Sequence, residues 1–477
     1  MNSLFSNRLR STLTVICLFI IGCSVTLNAD DSKSAERNLI RAMILSDTAF
    51  ENYFSRGMKM SRFYNPMTGK HSKETGSVWM YTSAIEACNA IIEGLQALEQ
   101  DTTPAHKENI ERYIERLDKL YEGLSWYEGR FTLTSYTQTK EWTVYGVNRG
   151  KSPGNAEVAG IMNVYDDQQW LIKELLISYK LTGNKKYLEK AEYLTEYVID
   201  GWDTTLDAEG NEYGGISWGP GYITKHSCSN GPFITPLVWL HELYKGSQET
   251  VGYRYIDSDG ERKVRYMSKE DYYLMYAEKV YSFQKTHLFQ KENGVYYDML
   301  GGVPATEEKE IAYEVVGNTT YRAHNKMKGP VGRAYSYNSG TMLSGAADLY
   351  RSTGNKEYLY DMISLADACF RYFAKGPGRN GLYRYASDGF NNWFNCVLLR
   401  GWIDAGRYYE GTADACRSIQ ANLDWAWDRH LYKDMLPANL IWGWKDDISK
   451  NNIEGMFMFA FASEYAYLAI HQQYMNN

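Results

Sequence analysis

The chain has 477 residues and a formal net charge of -7; 44% of its residues are hydrophobic and 15% aromatic, with 41 Tyr and 13 Trp. A mildly acidic chain without a basic arm lacks the charge that would neutralise phosphates, which argues against a nucleic-acid partner. The length allows several domains or one large closed architecture. Tyrosine and tryptophan rings suit the faces of sugars, although most such residues belong to a core.

The N-terminal segment predicts export. Two arginines precede an apolar run over 13–21, which is too short for a membrane span and typical of a signal peptide. The run ends at a glycine and Cys23, as in a bacterial lipobox, so we expect a lipoprotein signal over 1–22 and a polar tether over 23–35. Cleavage after Ala29 is the competing possibility. The predicted location is a membrane-anchored lipoprotein of the cell surface or periplasm, with no later segment of membrane-spanning length.

The cysteines indicate neither a disulfide framework nor a zinc site. The sequence contains seven, and those beyond Cys17 and Cys23 are scattered without a short paired spacing. We interpret these five as small core hydrophobes.

Twelve segments have helical periodicity. The third, fifth and ninth are amphipathic, whereas the even-numbered ones are apolar or small nearly all round, which indicates that other helices enclose them. The pattern therefore predicts six inner and six outer helices in alternation. The predicted segments are 36–56, 76–99, 105–124, 165–182, 185–201, 230–246, 269–288, 338–354, 356–374, 391–409, 411–428 and 452–473.

The connections alternate as well. Loops that enter the inner helices are long and those that leave them are short, except near 247–268, where a turn between two alternating runs predicts an inserted hairpin. The stretch 182–188 recurs in similar form at 353–359, each time at the end of an inner helix. Helical repeats of this kind gain a core by stacking. The sequence predicts an all-α fold, a single (α/α)6 barrel domain over 36–473.

Every inner helix should begin at the same end of such a barrel, which brings residues distant in sequence together. These starts carry aromatic and amide side chains, and such a concave floor suits a neutral polyol better than a phosphate or an acyl chain. Helix capping explains many of the asparagines and serines unaided. The side chains that we expect to form the floor are Trp79, Tyr165, Asn230, Tyr337, Asn338 and Trp393.

Asp166 and Asp167 form the one carboxylate pair among the predicted starts. Acidic residues in a first turn are commonly caps. Glycoside hydrolysis, however, requires two carboxyl groups, one to protonate the leaving oxygen and one to attack the anomeric carbon or activate water. Adjacent helical residues reach the spacing of about 5 Å of a retaining enzyme more easily than the 6.5–9.5 Å or so of an inverting one. Repulsion, and burial against Tyr165 or Trp170, must raise one of the two pKa values above what a helix N-terminus favours.

Four motifs in this order and spacing resemble glycoside hydrolase family 76, the endo-α-1,6-mannanases. The similarity spans about residues 36–472, and it implies an (α/α)6 fold, retention of configuration, and no metal or cofactor in the chemistry. It also implies that Asp166 is the nucleophile and Asp167 the acid/base. Two prolines early in the sixth helix and the inserted hairpin depart from the family pattern, away from the pair. The motifs are Tyr165-Asp166-Asp167-Gln168, Gly214-Gly215-Ile216-Ser217-Trp218, Ser229-Asn230-Gly231-Pro232-Phe233 and Tyr337-Asn338-Ser339-Gly340.

We predict further substrate contacts around the pair. Trp218 lies on a rim loop, and Asp298 follows a turn and can hold a sugar hydroxyl or simply end that turn. Asn230 is more commonly a helix cap than a substrate contact, and Trp79 is also compatible with the core. The full predicted set is Trp79, Tyr165, Trp218, Asn230, Asp298, Tyr337 and Asn338.

Our first hypothesis is a monomeric, retaining endo-α-1,6-mannanase acting on α-mannan oligosaccharide or polysaccharide. A glycan-binding surface lipoprotein that has lost the chemistry is the alternative from another class, and transglycosylation through the same covalent intermediate stays open. Sugar epimerases with this type of barrel use histidine bases, and of eight histidines only His226 and His241 lie near an inner helix. Uronyl hydrolases need basic residues to bind a substrate carboxylate, and the predicted starts of the inner helices lack arginine and lysine.

Overall fold

Helices alternating between two layers make up most of the chain in the computed structural model, which describes residues 33–98, 103–301, 310–378 and 380–474. The signal segment and Cys23 lie outside these residues, so the export and lipidation predictions stay predictions. The tether, predicted to extend to residue 35, overlaps the first helix, which begins at residue 33. No helix in the described ranges is both long and apolar enough to cross a membrane.

All twelve predicted helices are present, with ends within three residues of the predicted ones. The even-numbered helices are buried nearly all round and the odd-numbered ones along one stripe, as the apolar pattern predicts. In chain order they are α1 (33–53), α2 (Val78–Ala97), α3 (Pro104–Gly123), α4 (Tyr165–Thr182), α5 (Lys185–Asp200), α6 (Gly231–Leu243), α7 (Lys269–Leu288), α8 (Ser336–Thr353), α9 (Lys356–Phe373), α10 (Asn391–Gly406), α11 (Ala413–His430) and α12 (Gly455–Tyr474).

The inner helices form a closed ring. Helix α2 packs against α4, and the sequence continues through α6, α8, α10 and α12, which packs back against α2. Outer helices α3, α5, α7 and α9 each pack on the inner helix that precedes them, and α11 packs on α10 and α12. The fold is therefore an (α/α)6 barrel, and the fold prediction is confirmed.

The internal repeat marks two identical helix ends. Gly183 and Gly354 follow α4 and α8 with φ near +70°, a left-handed conformation that favours glycine and that ends a helix. Asn184 and Asn355 come next, and each side chain accepts a hydrogen bond from the amide two residues on, so that α5 and α9 start at once.

The long loops contain short antiparallel strands. Strands β7 and β15 pair on either side of β12, and β16 and β4 on either side of β3; β8 and β9 form the hairpin where the sequence predicts an insertion. The strands are β1 (Phe54–Ser55), β2 (Lys59–Met60), β3 (Phe63–Asn65), β4 (Lys70–His71), β5 (Glu128–Thr134), β6 (Thr139–Tyr145), β7 (Lys225–His226), β8 (Thr250–Ile256), β9 (Arg262–Ser268), β10 (Phe289–Gln290), β11 (Val295–Tyr296), β12 (Met299–Leu300), β13 (Tyr313–Val316), β14 (Thr319–Arg322), β15 (Pro330–Val331) and β16 (Ile453–Glu454).

Candidate active site

The start of α4 carries the carboxylate pair without using it as a cap. Val164 occupies the N-cap position and makes no side-chain cap, while Asp166 and Asp167 fall in the first helical turn. The amide of Tyr165 donates to the carbonyl oxygen of Trp218 at 2.8 Å. The first turn is therefore anchored on the loop that carries Trp218, and both carboxyl groups remain available to the cleft.

Two glutamines fix the direction of this helix. The side chain of Gln168 accepts from the amide of Tyr145 at 3.2 Å and donates to its carbonyl at 2.8 Å, which docks α4 on the end of β6. Gln169 donates to the carbonyl of Ser229 at 2.7 Å and so joins α4 to the start of α6. Both glutamines are fully buried. The residues that follow the aspartates thus hold the pair in place.

The carboxylate pair lies in a cleft of about 640 Å³ at the end of the barrel where the inner helices begin. The starts of α2, α4, α8 and α10 and the residues just before α6 contribute to its walls; the start of α12, which the barrel prediction places at the same end, does not line it. Of the side chains singled out from the sequence, those that line the cleft are Trp79, Asp166, Asp167, Trp218, Asp298, Tyr337 and Trp393.

Three predicted substrate contacts do not line the cleft. Tyr165 is 1% exposed and packs on Tyr197, with ring centroids 5.1 Å apart, because the first residue of α4 faces the outer layer. Asn230 is fully buried and binds the backbone of Ile216 through both its amide nitrogen and its oxygen. That side chain shapes the neighbouring loop instead of capping α6, since it makes no cap hydrogen bond.

Asn338 is the third predicted substrate contact that does not line the cleft. Its side chain is fully buried, and it supports the carboxyl group of Asp298, whose pKa it lowers. Burial nevertheless raises the pKa of Asp298 to about 6. Asn338 is therefore a positioning residue behind a cleft-lining carboxyl group, a role that its place at the start of α8 did not reveal.

The cleft also contains residues that the sequence analysis assigned elsewhere. Cys228, interpreted as a core hydrophobe, lines the cleft beside Asp166 and Tyr337. Burial raises the pKa of the Cys228 thiol well above its usual value, which keeps it protonated. The position of Cys228, two residues before Asn230 and close to the start of an inner helix, was the sequence signal that could have placed it in the cleft. Tyr222, Tyr335 and Phe390 come from the long loops, whose course the sequence did not indicate.

The two carboxyl groups differ in their environment. Burial raises the pKa of Asp166 to about 6, while the Cys228 thiol, the Trp218 indole and backbone amides of the first turn act in the opposite direction. The pKa of Asp167 is raised well above its usual value by burial and by the neighbouring charge of Asp166. Asp167 is 5% exposed. Asp166 is therefore the carboxyl group of the pair that more readily ionises, and Asp167 the one that more readily keeps its proton.

Aromatic rings form two walls around the pair. On one side Trp79 meets Trp393 edge to face at 5.2 Å, and Trp393 meets Trp170 at 4.8 Å. On the other side Trp218 stacks on His226 with centroids 4.7 Å apart and planes at 15°. Rings held in fixed orientations by such contacts present rigid apolar faces to a ligand.

The histidines near the inner helices are not bases of an epimerase type. Burial lowers the pKa of His226 to about 3, and its Nε2 lies 2.9 Å from the hydroxyl of Thr224. A group with such a low pKa is a weak proton acceptor. The ring of His241 binds the carbonyl of Glu270 outside the cleft.

A buried ionic network supports the floor from below. Glu86 of α2 accepts hydrogen bonds from Trp393 at 3.1 Å, from Arg400 at 3.0 Å and from Tyr467 at 3.0 Å. The ammonium group of Lys173 lies 3.7 Å from the same carboxylate. Glu86 thus links α2, α4, α10 and α12 across the barrel, and it holds the indole of Trp393 that forms part of the cleft floor.

An (α/α)6 barrel with two acidic side chains in an aromatic cleft defines a class of sugar-active enzymes, the barrel glycoside hydrolases. The model of glycosyl hydrolase family 76 matches residues 129–243 and 262–433, more than half of the chain. The chain therefore belongs to glycosyl hydrolase family 76 and is a glycoside hydrolase. The unmatched interval 244–261 contains β8 of the inserted hairpin. No curated protein gave a significant match.

Solved structures show the same fold. A family 76 glycoside hydrolase (mannosidase) from Bacteroides thetaiotaomicron VPI-5482 matches with a TM-score of 0.64 at 22% identity, over 91% of this chain and 98% of that one. The GH76A α-1,6-mannanase of Salegentibacter sp. HEL1_6 matches with a TM-score of 0.55 at 17% identity, over 92% and 100%. An inactive variant of that mannanase, with two successive aspartates changed to asparagine, in complex with α-1,6-mannotriose, matches with a TM-score of 0.58 at 17% identity, over 91% and 99%.

Proposed function

We propose that this glycoside hydrolase is an endo-acting α-1,6-mannanase that retains configuration, with Asp166 as nucleophile and Asp167 as general acid/base. The observation that carries the proposal is the unequal setting of two adjacent carboxyl groups in one cleft: Asp166 has the Cys228 thiol and the Trp218 indole as hydrogen-bonding neighbours, whereas Asp167 is buried beside the charge of Asp166. A nucleophile must be ionised while the acid is protonated, and this setting favours that arrangement. The solved α-1,6-mannanases of the same fold support the substrate class.

The first step forms a glycosyl-enzyme. A carboxylate oxygen of Asp166 attacks the anomeric carbon, the bond from that carbon to the glycosidic oxygen breaks, and Asp167 gives its proton to the departing oxygen. The free energy of the transition state is lowered because the charge that develops on the leaving group is neutralised by that proton. Asp167 is then ionised, and the bond to Asp166 removes the charge that had raised its pKa.

The second step releases the sugar. Ionised Asp167 accepts a proton from water, the water oxygen bonds to the anomeric carbon from the side of the departed group, and the bond to Asp166 breaks. Both carboxyl groups return to their initial states. Two displacements at one carbon restore the starting configuration, which is why retention follows from a nucleophilic Asp166.

The cleft is open to solvent, and that supports endo action. Its walls combine the first turns of inner helices, such as Trp79 of α2, with rim loops that carry Trp218 after α5 and Asp298 before β12. In the proposed endo action a chain of sugars lies along this open cleft, so that an internal linkage reaches the pair. The aromatic walls offer stacking faces on either side of the scissile bond.

Replacing either aspartate by asparagine tests the proposal. With linear α-1,6-mannan we expect Asp166→Asn to abolish hydrolysis and Asp167→Asn to reduce it by about 10²–10⁴-fold, the usual contribution of a general acid. Asp200→Asn is the matched control, because Asp200 is also buried with its pKa raised to about 6 but lies outside the cleft. Product anomers followed by NMR should show the α form first. Near-normal turnover in both cleft variants, or β product first, would refute the assignment.

We also propose that the protein is exported and lipid-modified at Cys23, on the support of the N-terminal sequence. Cys23→Ala should move it from the membrane fraction to the soluble fraction of the producing cell. A membrane-bound Cys23→Ala variant would contradict the proposal.

A further inference from the structure

A second groove, of about 680 Å³, opens beside the catalytic cleft. The two depressions share Arg333, Asp388 and Asn391 in their walls. Arg333 Nη1 lies 3.3 Å from Asp388 Oδ2, and this ion pair is exposed, with 53% and 72% of the two side chains accessible. The groove is therefore a lateral extension of the cleft, reached past one exposed ion pair.

The far side of the groove carries an uncovered indole. Trp442 is 72% exposed although its backbone is well held, since the side chain of Asn439 accepts from the amides of Ile441 and Trp442 at 3.2 and 2.9 Å. The indole of Trp425 also donates to the carbonyl of Ile441 at 3.2 Å. A large aromatic ring presented to solvent from a fixed turn in the wall of this groove offers a flat face on which a sugar ring can stack.

Two cationic side chains complete the groove. Lys375 and Arg384 come from paired backbone segments, with the amide of each residue donating to the carbonyl of the other at 2.9 and 2.8 Å. Both are exposed, and neither forms an ion pair with a carboxylate in the described part of the chain; the ammonium group of Lys375 lies 5.2 Å from the ring centroid of Tyr372, which also lines the groove. Their donors remain available to a ligand in a protein whose net charge is -7.

We infer that this groove binds a side branch of the mannan while the cleft holds the backbone. The branch sugar stacks on the ring of Trp442, and Arg384 and Lys375 donate to its hydroxyl groups. The inference rests on the proposed function, because a branch reaches the groove only when the backbone occupies the cleft. It assigns to the enzyme a preference for a branched over a bare α-1,6-mannan.

The test compares two substrates, linear α-1,6-mannan and the same backbone carrying single mannose branches. We expect Trp442→Ala to lower kcat/KM about tenfold on the branched chain and to leave it unchanged on the linear chain, since only the branch reaches the ring. Arg384→Gln should lower it about threefold on the branched chain, the effect of one lost hydrogen bond. Tyr266→Ala is the matched control, an aromatic ring that is 78% exposed on β9 and outside the groove.

The outcomes separate the two proposals. If the wild-type enzyme hydrolyses neither substrate, the proposed function fails and the branch inference falls with it. If it hydrolyses the linear chain but rejects the branched one, or if Trp442→Ala changes both substrates equally or neither, the function stands and the branch inference is wrong. Equal melting temperatures of wild type and Trp442→Ala establish that the substitution leaves the fold intact.

Discussion

Two adjacent carboxyl groups with unequal pKa values determine the chemistry available to this cleft. Asp166 has the Cys228 thiol and the Trp218 indole as neighbours, whereas Asp167 is buried without opposing donors and beside a like charge. One helical turn therefore favours the ionised form of Asp166 and the protonated form of Asp167. A helix N-terminus favours the ionised form of an acidic side chain and so lowers its pKa. At Asp167 burial has the larger effect and raises the pKa.

The dependence of kcat/KM on pH should be bell-shaped. Activity rises with pH as the pair loses its first proton, near pH 6, because the nucleophile must be ionised. It falls at higher pH as the second proton leaves, because the acid is then lost. The two apparent values belong to the pair, since the sites interact. Steady-state rates from pH 4 to 10 measure both limbs.

An asparagine at position 167 should remove the descending limb for a substrate with an activated leaving group, such as an aryl mannoside. That leaving group needs no proton, so the residual rate depends only on the ionisation of Asp166. A descending limb that persists unchanged in Asp167→Asn would assign the acid to another residue.

The same environment costs stability at neutral pH. The folded pKa of Asp166, about 6, exceeds its usual value of 3.8, so the folded state binds more protons than the unfolded one between these values. The free energy of unfolding therefore falls as pH rises from about 4 to 6, and at pH 7 the ionised side chain is unfavourable by up to about 3 kcal/mol.

Asp166→Asn should consequently raise the melting temperature at pH 7 and have little effect at pH 4, where the wild-type side chain is protonated. Differential scanning calorimetry at the two pH values measures the difference. A stabilisation that is the same at both, or a loss at pH 7 alone, would show that burial of the charge is not its source.

At the scale of elements, helix ends do much to position the site. Gly183 ends α4 in the left-handed conformation, and Gly354 ends α8 in the same way, so each outer helix returns close to its inner partner. At the other end of α4, Gln168 and Gln169 dock the helix on two loops. The aspartates are thus placed by contacts at both ends of one helix.

Gly183→Ala should lower the free energy of unfolding by about 1 kcal/mol, because an alanine at a φ of +70° meets its own backbone. Beyond the adjacent residues, no heavy atom of the described part of the chain lies within 4 Å of the added Cβ, so the effect is one of backbone strain. Gly329→Ala is the control: it has the same free space without a positive φ, and should be neutral or slightly stabilising. Denaturant titration distinguishes the two, and equal effects would contradict the strain argument.

The whole molecule is held together across its axis as well as around its ring. Burial alone would raise the pKa of Glu86, but the charges of Lys173 and Arg400 bring it below its usual value. Its stabilising contribution is therefore present at neutral pH and is lost as pH falls below about 4.5, the usual value for a glutamate. The same carboxylate binds Trp393, so barrel stability and cleft shape are connected.

Glu86→Gln should lower the free energy of unfolding by about 3 kcal/mol at pH 7, because the largely buried Arg400 then lacks its carboxylate partner and Lys173 keeps only Glu174. Turnover of the proposed substrate should fall too, since the single amide oxygen of glutamine must then serve Trp393, Arg400 and Tyr467, which donate to two carboxylate oxygens in the wild type. Asp414→Asn removes one partner of an ion pair in which both side chains are about 70% exposed, and should cost less than about 1 kcal/mol. If the Glu86 and Asp414 variants unfold at the same denaturant concentration, the buried network does not stabilise the barrel.

The sequence alone determined the alternation of enclosed and amphipathic helices, the closed barrel and the place of Asp166 and Asp167 at the start of α4, because hydrophobic periodicity and turn signals are local properties of the chain. The same signals misplaced Tyr165 and Asn230, which are adjacent to the site in sequence but face the outer layer and a neighbouring loop.

Only the tertiary structure decided which side chains share the cleft and how the two carboxyl groups differ. Cys228, Asn338 and Glu86 acquire their roles from partners distant in sequence, at the start of α4, before β12 and across the barrel. A pKa depends on burial and on neighbouring charges within a few ångströms, and those distances are set by how the long loops and the six inner helices pack together.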